Sequence, residues 1–251
     1  MRIVRKLKVG MLAVRHVKNW PTLMLDHLRL LPQREIRYSL RNGVVFWARG
    51  KTYDVNAIEE TWILNVYTPP GFEISAGDTI IDIGANIGAF TVRAARHAAT
   101  GRVFAVEPEK ENVQRLSRNL AENGLTNVTV VEAAVGGTSG IRDFFVTPGN
   151  HSGHSLVDAG ATAQTVKVEV ISLDDFTARH DIDRIDLLKL DCEGAEFEIF
   201  ASASDDVLRR IGKICMEVHP AESRDPAVLR RLLESKGFAV TVVGDQFYAR
   251  R

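Results

Sequence analysis

The sequence predicts a doubly wound α/β fold with a mostly parallel sheet, preceded by a helix and hairpin extension. Three observations carry that expectation. From Asp78 onward, short apolar runs alternate with segments of helical period, the pattern of successive βα units. The first run, Ile80-Ile81-Asp82-Ile83, leads into Gly84-Ala85-Asn86-Ile87-Gly88, a glycine-rich turn that opens a helix-compatible segment. The chain closes on two apolar stretches, 239–243 and 246–249, paired across Gly244-Asp245 as a hairpin.

Taken in order, Pro21 and Pro32 punctuate a basic helical start. Strands at 36–40 and 44–47 flank Arg41-Asn42-Gly43, a good hairpin signal. Ile58, Trp62, Ile63 and Val66 recur at helical spacing within 56–67, and Pro69-Pro70-Gly71 ends that segment. Residues 1–70 therefore read as an extension capping the body, and 71–251 as the sheet domain. In that domain strands are expected at 79–83, 102–106, 128–132, 185–190 and 211–218. Helices are expected at 88–98, 110–123, near 195–209 and near 226–236. The stretch 141–171 departs from the alternation, with strand-like 143–146 and 165–170 around a Gly/Ser/His loop.

An apolar fraction of 45% and a charged fraction of 25% belong to an ordinary globular chain. The net charge of zero conceals an asymmetry. Residues 1–41 hold ten basic side chains against Asp26 and Glu35, a charge of +8 that the remainder balances at −8. Lys8, Arg15 and Lys18 interrupt the apolar residues, so this start is no convincing signal peptide, and no later run approaches the ~18 apolar residues of a membrane span. Two readings stand for residues 1–30. One is a solvated helix packing Ile3, Leu7, Met11 and Val14 against the body or another subunit. The other is peripheral contact with anionic lipid or a lipid-linked substrate. Nucleic acid is not expected, because no aromatic-interleaved basic patch follows. Cys192 and Cys215 sit beside buried-strand patterns and suggest no disulfide framework, so the expected location is the cytoplasm.

The glycine turn says which nucleotide is bound. In a dinucleotide fingerprint, G-x-G-x-x-G, the second glycine lets backbone approach a pyrophosphate. That position is Asn86 here, and the third is Ala89. Asp82 at the strand end would repel a pyrophosphate but suits a cofactor with a cationic amino-acid end, such as S-adenosylmethionine. Gly84 and Gly88 allow a tight turn beneath it. Glu107 ends the second strand, 25 residues after Asp82, where a carboxylate can accept two hydrogen bonds from ribose hydroxyls. Glu132 closes the third strand, where adenine contacts arise in this architecture; a surface or loop-capping role competes with that reading.

The second signature is Lys189-Leu190-Asp191-Cys192-Glu193-Gly194-Ala195-Glu196, at the C-terminal edge of a buried strand. Asp191 and Glu193 can anchor an acceptor or take its proton, and Lys189 can neutralise them. Glu196 reads better as a cap of the following helix. The next strand ends Glu217-Val218-His219, which puts His219 beside Asp191 if the strands are neighbours; it is a candidate base or a capping residue. Asp191, Glu193, Glu217 and His219 could together hold a divalent cation, although no metal is assigned. His154 and Ser155, in the polar loop 150–155, are candidates for acceptor binding.

Together these residues resemble the FkbM-type family of S-adenosylmethionine-dependent methyltransferases. The likeness rests on Asp82 to Thr91, Val106-Glu107-Pro108, Ser172-Leu173-Asp174-Asp175-Phe176 and Lys189 to Glu196, with similar positions at 40–43 and 217–220. It implies a seven-stranded Rossmann-like methyltransferase sheet with an antiparallel last strand. It further implies O-methylation of a sugar or glycan hydroxyl or a related secondary metabolite, with cofactor residues Asp82, Gly84, Asn86, Gly88 and Glu107. Two rivals are a cofactor-binding scaffold without catalysis and a nicotinamide-dependent oxidoreductase, which Asn86 and Asp82 disfavour.

Overall fold

A computed structural model of the chain describes residues 2–146, 156, 164–219 and 225–251, with backbone alone over 2–8 and at 164. The extension contains α1 (Arg2–His16), α2 (Trp20–His27), β1 (Glu35–Ser39), β2 (Val45–Arg49) and α3 (Asp54–Trp62). Then follow β3 (Thr79–Ile83), α4 (Ala89–His97), β4 (Arg102–Val106), α5 (Lys110–Glu122) and β5 (Val128–Val131). An inserted unit holds β6 (Ala134–Gly136), β7 (Gly140–Val146) and β8 (Gln164–Ser172). The chain continues through α6 (Leu173–Arg179), β9 (Ile185–Leu190), α7 (Glu196–Ser202), α8 (Asp205–Arg210) and β10 (Ile211–Glu217). It ends with α9 (Pro226–Ser235), β11 (Ala239–Val243) and β12 (Gln246–Arg250).

Seven strands form the central sheet in the order β11-β12-β10-β9-β3-β4-β5. β10, β9, β3, β4 and β5 run parallel, and β12 is antiparallel to both of its neighbours. This is the expected doubly wound architecture with its reversed last strand. Strands buried on both faces should alternate between two cores, and they do. Ile81, Ile83, Phe104, Val106, Leu188 and Leu190 pack with the helices after β8. Ile80, Val103, Ala105, Leu187 and Cys215 face the opposite side.

That opposite side is covered by the extension as well as by α4 and α5. Phe46 packs against Trp62 with ring centroids 5.9 Å apart, and the Trp62 indole donates to the Ala89 carbonyl at 3.0 Å. Buried Asp26 ties α2 to the hairpin by accepting from the Tyr38 hydroxyl at 2.6 Å and the Lys51 amide at 2.7 Å. The expected hairpin forms, with Ser39 opposite Val45 across the Arg41-Asn42-Gly43 turn.

Four expectations need correction. Of the two partners expected for the α1 face, the body is met instead by Val9 and Ala13, with Val17 just past the helix, whereas Met11 is 71% and Val14 41% exposed; the side chains of Ile3 and Leu7 lie outside the described residues. The helix expected over 56–67 begins earlier and ends at Trp62. The single helix near 195–209 is two, because Ser204 caps a new start with its hydroxyl accepting from the Val207 amide. Strand β6 was not anticipated; it pairs parallel to β8, and with β7 the three strands make a separate sheet. Cys192 and Cys215 are free thiols, and among the described residues no helix is long and apolar enough to cross a membrane.

Candidate active site

The C-terminal ends of β3, β4, β9 and β10 open into a cavity of about 330 Å³, where ligands bind in open α/β sheets. The turn after β3 makes its floor. Gly84 has φ 73°, and a Cβ there would lie 1.9 Å from the Asp191 carbonyl oxygen, so this turn can pass β9 only as glycine. Gly88, at φ 83°, is the residue before α4. Asn86 adopts φ 50°, and its side-chain Oδ1 has no partner among the described residues.

Asp82 is wholly buried and does not line the cavity. It stands opposite Lys189 in the parallel register, and the two form an ion pair of 3.0 Å, while the Thr91 hydroxyl donates to its other oxygen at 2.6 Å. Of the two ways in which Asp82 was expected to position the cofactor, directly or through water, the direct contact does not fit a carboxylate buried off the cavity wall. Its charge is consumed inside the sheet, where a lone buried carboxylate would be prohibitively costly. Lys189 also donates to the Gly84 carbonyl at 2.8 Å, so the pair clamps the glycine turn from beneath. Burial pushes the Lys189 pKa down, but the Asp82 and Asp191 charges outweigh it and hold the value above the usual range. Lys189 thus stays a cation, and the acid it pairs with is Asp82 rather than the Asp191 and Glu193 expected from the sequence.

Glu107 faces the cavity at the end of β4 and is 5% exposed. It accepts from the Asn86 amide at 2.8 Å, the Glu109 amide at 3.1 Å and the Asn112 side chain at 3.1 Å. A carboxylate has about four acceptor positions, so one remains for a hydroxyl rather than the two expected. Burial lifts its pKa to about 7 despite those donors. Asn112 is turned by Arg49, which donates to its Oδ1 at 2.6 Å while pairing with Asp54. The extension thereby orients a group that holds Glu107. Glu132 is exposed and absent from the cavity wall; Ala133 and Ala134 line that position, so the adenine contact assigned to Glu132 is withdrawn. Val135, Phe144 and Leu156 of the inserted unit add an apolar wall.

The far end of the cavity collects titratable groups. β9 and β10 are neighbours in register, and this brings His219 beside Asp191 as the sequence suggested. The His219 Nε2 lies 3.5 Å from Glu193, 3.8 Å from Glu217 and 4.0 Å from Asp191. Its Nδ1 faces Glu196 at 3.1 Å. Glu196 is fully buried at the start of α7 and accepts from the Cys192 and Gly194 amides at 3.3 and 3.2 Å, so it holds the preceding turn rather than capping the helix as expected, and it also grips the imidazole. Glu193 sits at φ 53°, the bend that turns its side chain out of the strand direction. Burial opposes a charged imidazole, but the Glu196 contact and the Glu193 charge win, lifting the His219 pKa to about 9. Burial raises Glu193 and Glu217 to about 7 each, and the His219 charge pulls both the other way.

Tyr67 and Glu60 were not singled out as site residues, and Glu217, named from the sequence only as a possible cation ligand, lines the cavity with them. Tyr67 donates to Asp191 at 3.0 Å from 124 positions away, a contact that no local pattern announces. Asp191, Glu193 and His219 offer ligand atoms within 4.8 Å of one another and could hold a divalent cation. His154 and Ser155 lie outside the described residues.

A Rossmann-like sheet with a glycine turn, an acid ending the second strand and acids at the fourth strand's edge defines a nucleotide-cofactor transferase. The chain belongs to the FkbM methyltransferase family, whose domain model, described as Methyltransferase FkbM domain, matches residues 82–240. Its cofactor is S-adenosylmethionine, and the unpartnered Asn86 oxygen and remaining Glu107 acceptor position fit a polar, hydroxyl-bearing ligand.

Among its relatives, the 31-O-demethyl-FK506 methyltransferase FkbM of Streptomyces tacrolimicus is 26% identical, over 73% of this chain and 81% of that protein. The hexuronic acid methyltransferase AglP of Haloferax volcanii is 24% identical, over 72% of this chain and 74% of that protein. The AMB antimetabolite synthetase AmbE of Pseudomonas aeruginosa is 27% identical over 74% of this chain, but the match spans only 11% of that much longer protein.

Proposed function

We propose that the protein is an O-methyltransferase acting on a hydroxyl of a sugar, glycan or related secondary metabolite. The observation that carries this reading is the convergence of Asp191, Glu193 and Glu217 on His219 beyond the glycine turn. When bound, S-adenosylmethionine supplies a methyl carbon already activated by its sulfonium. The chain must align a hydroxyl with that carbon and take away its proton. Glu107 and Asn86 hold the adenosine side in this reading, and Asp191 is fixed by Tyr67 to receive the acceptor. The acceptor's hydroxyl proton would pass to Glu193 or Glu217, whose pKa values of about 7 suit a base near neutrality. His219, with a pKa of about 9, already carries its proton there and steadies the ionised carboxylates. This assigns the base to the carboxylate arm of the two options drawn from the sequence.

The names of two relatives, a 31-O-demethyl-FK506 methyltransferase and a hexuronic acid methyltransferase, support a hydroxyl-bearing small molecule or glycan as acceptor. The test is transfer of labelled methyl from S-adenosylmethionine onto fractionated glycans, glycolipids and polyketides. Label should appear in an alkali-stable methyl ether. Label confined to esters or amines, or tight NAD binding without S-adenosylhomocysteine binding, would remove the reading.

A further inference from the structure

Six of the twelve large apolar side chains exposed among the described residues fall within residues 11–30: Met11, Val14, Trp20, Leu25, Leu28 and Leu30. Their placement follows the two helices. On α1, Met11 and Val14 share a face with Arg15, at spacings of three and four, and exposed Lys18 follows just beyond the helix end. On and just after α2, Leu25 and Leu28 share a face, while Leu23 and Asp26 turn inward. Surface leucines scattered singly need no explanation, but a concentration in one short segment does.

The charge of this segment is one-sided. Arg15, Lys18, Arg29 and Arg34 are all exposed, and the only acid between residues 9 and 34, Asp26, is buried against Tyr38. Exposed apolar groups interleaved with unopposed cations match the chemistry of an anionic lipid surface, where acyl chains take the former and headgroups the latter. The segment also reaches the site. Arg29 lies over the ring of Tyr53, 5.2 Å from its centroid, and Tyr53 is 42% exposed and lines the cavity mouth.

We propose that the α1–α2 face docks the protein on an anionic membrane surface and thereby sets the cavity mouth, at Tyr53, beside the lipid headgroups. The docking stands independently of the methyl-transfer reading. It gives that reading a lipid-linked hydroxyl as a reachable acceptor.

The test is co-sedimentation of the full chain with vesicles of phosphatidylcholine alone and of phosphatidylcholine mixed with phosphatidylglycerol. Binding should require the anionic lipid and fall as salt is raised. Replacing Arg15→Ser together with Lys18→Ser should weaken partition roughly 30-fold, at roughly 5-fold for each basic residue near the surface. Leu25→Ser with Leu28→Ser should also weaken it. Because all four side chains are exposed, the thermal unfolding midpoint and S-adenosylhomocysteine binding should stay at wild-type values. Equal pelleting with both vesicle types, or none with either, would overturn the proposal. So would a concentration-dependent dimer that the leucine variants dissolve, since the face would then belong to a second copy.

Discussion

His219 sits between two kinds of carboxylate, and the difference decides its chemistry. Glu196, buried and fixed by two backbone amides, holds Nδ1, while the partly exposed Glu193 and Glu217 surround Nε2. The imidazolium lowers the pKa of both outer acids, which burial has raised to about 7. In His219→Asn that positive charge is lost, so both carboxylates should hold protons to higher pH. The acid limb of the turnover–pH profile should then move above its wild-type position near pH 7, with much of the alkaline rate retained. Were His219 the base, the same variant would instead lose ~10²-fold or more at every pH. A pH profile measured on the wild type and on His219→Asn separates the two roles.

At the scale of elements, the extension is joined to the sheet domain by asparagines. A two-stranded hairpin is marginal alone. The outer edge of β2 is completed from α5: Asn119 accepts from the Trp47 amide at 2.7 Å and donates to its carbonyl at 3.2 Å, and Asn123 treats Val45 in the same way at 3.0 and 2.7 Å. Asn119 is fully buried and also donates to the Ile87 carbonyl at 2.8 Å, behind the glycine turn. Asn119→Ala should therefore cost about 1–3 kcal/mol in urea denaturation, because water cannot replace its bonds. Asn123→Ala, where solvent reaches the site, should cost clearly less. An equal or reversed order would mean that the hairpin edge is not what these residues support.

The same scale explains what the sequence could announce. β3, β4, β9 and β10 were legible because strands buried on both faces are nearly continuous apolar runs. The acids at 191 and 193 were legible because they interrupt such a run at its end. β6 was not, since Ala134-Val135-Gly136 is too short to show a period and its partner β8 lies more than thirty residues on. The α1 face was misread because Ile3-Leu7-Met11-Val14 and Val9-Ala13-Val17 are both apolar at helical spacing, and only the fold selects between them. Glu132 and Asp82 share one difficulty: a strand-end carboxylate announces its position but not whether its side chain faces the cavity, solvent or the sheet interior. Tyr67 reaches Asp191 across the whole extension–domain junction, a relation available only once the chain has folded.

For the molecule as a whole, the question is whether residues 1–70 are an appendage or part of the body. The apolar cluster beneath the extension argues for the latter. Val9, Tyr38, Phe46 and Ile58 share it with Ile87, Val92, Ala105 and Leu116 of the sheet domain. Arg49 acts through Asn112 on Glu107, and Tyr67 on Asp191, so both ends of the cavity depend on the extension. The composition offers a direct test, because all three tryptophans, Trp20, Trp47 and Trp62, lie in residues 1–70. Tryptophan fluorescence therefore reports the extension, while far-UV circular dichroism is weighted by the helices and strands of the entire chain. If the shared core couples them, urea should give coincident transitions by the two probes, the signature of one cooperative unit. A fluorescence change completed at lower urea than the loss of circular dichroism would show a separable cap, and the cavity would then lose Tyr67 and the Arg49 support before the sheet unfolds.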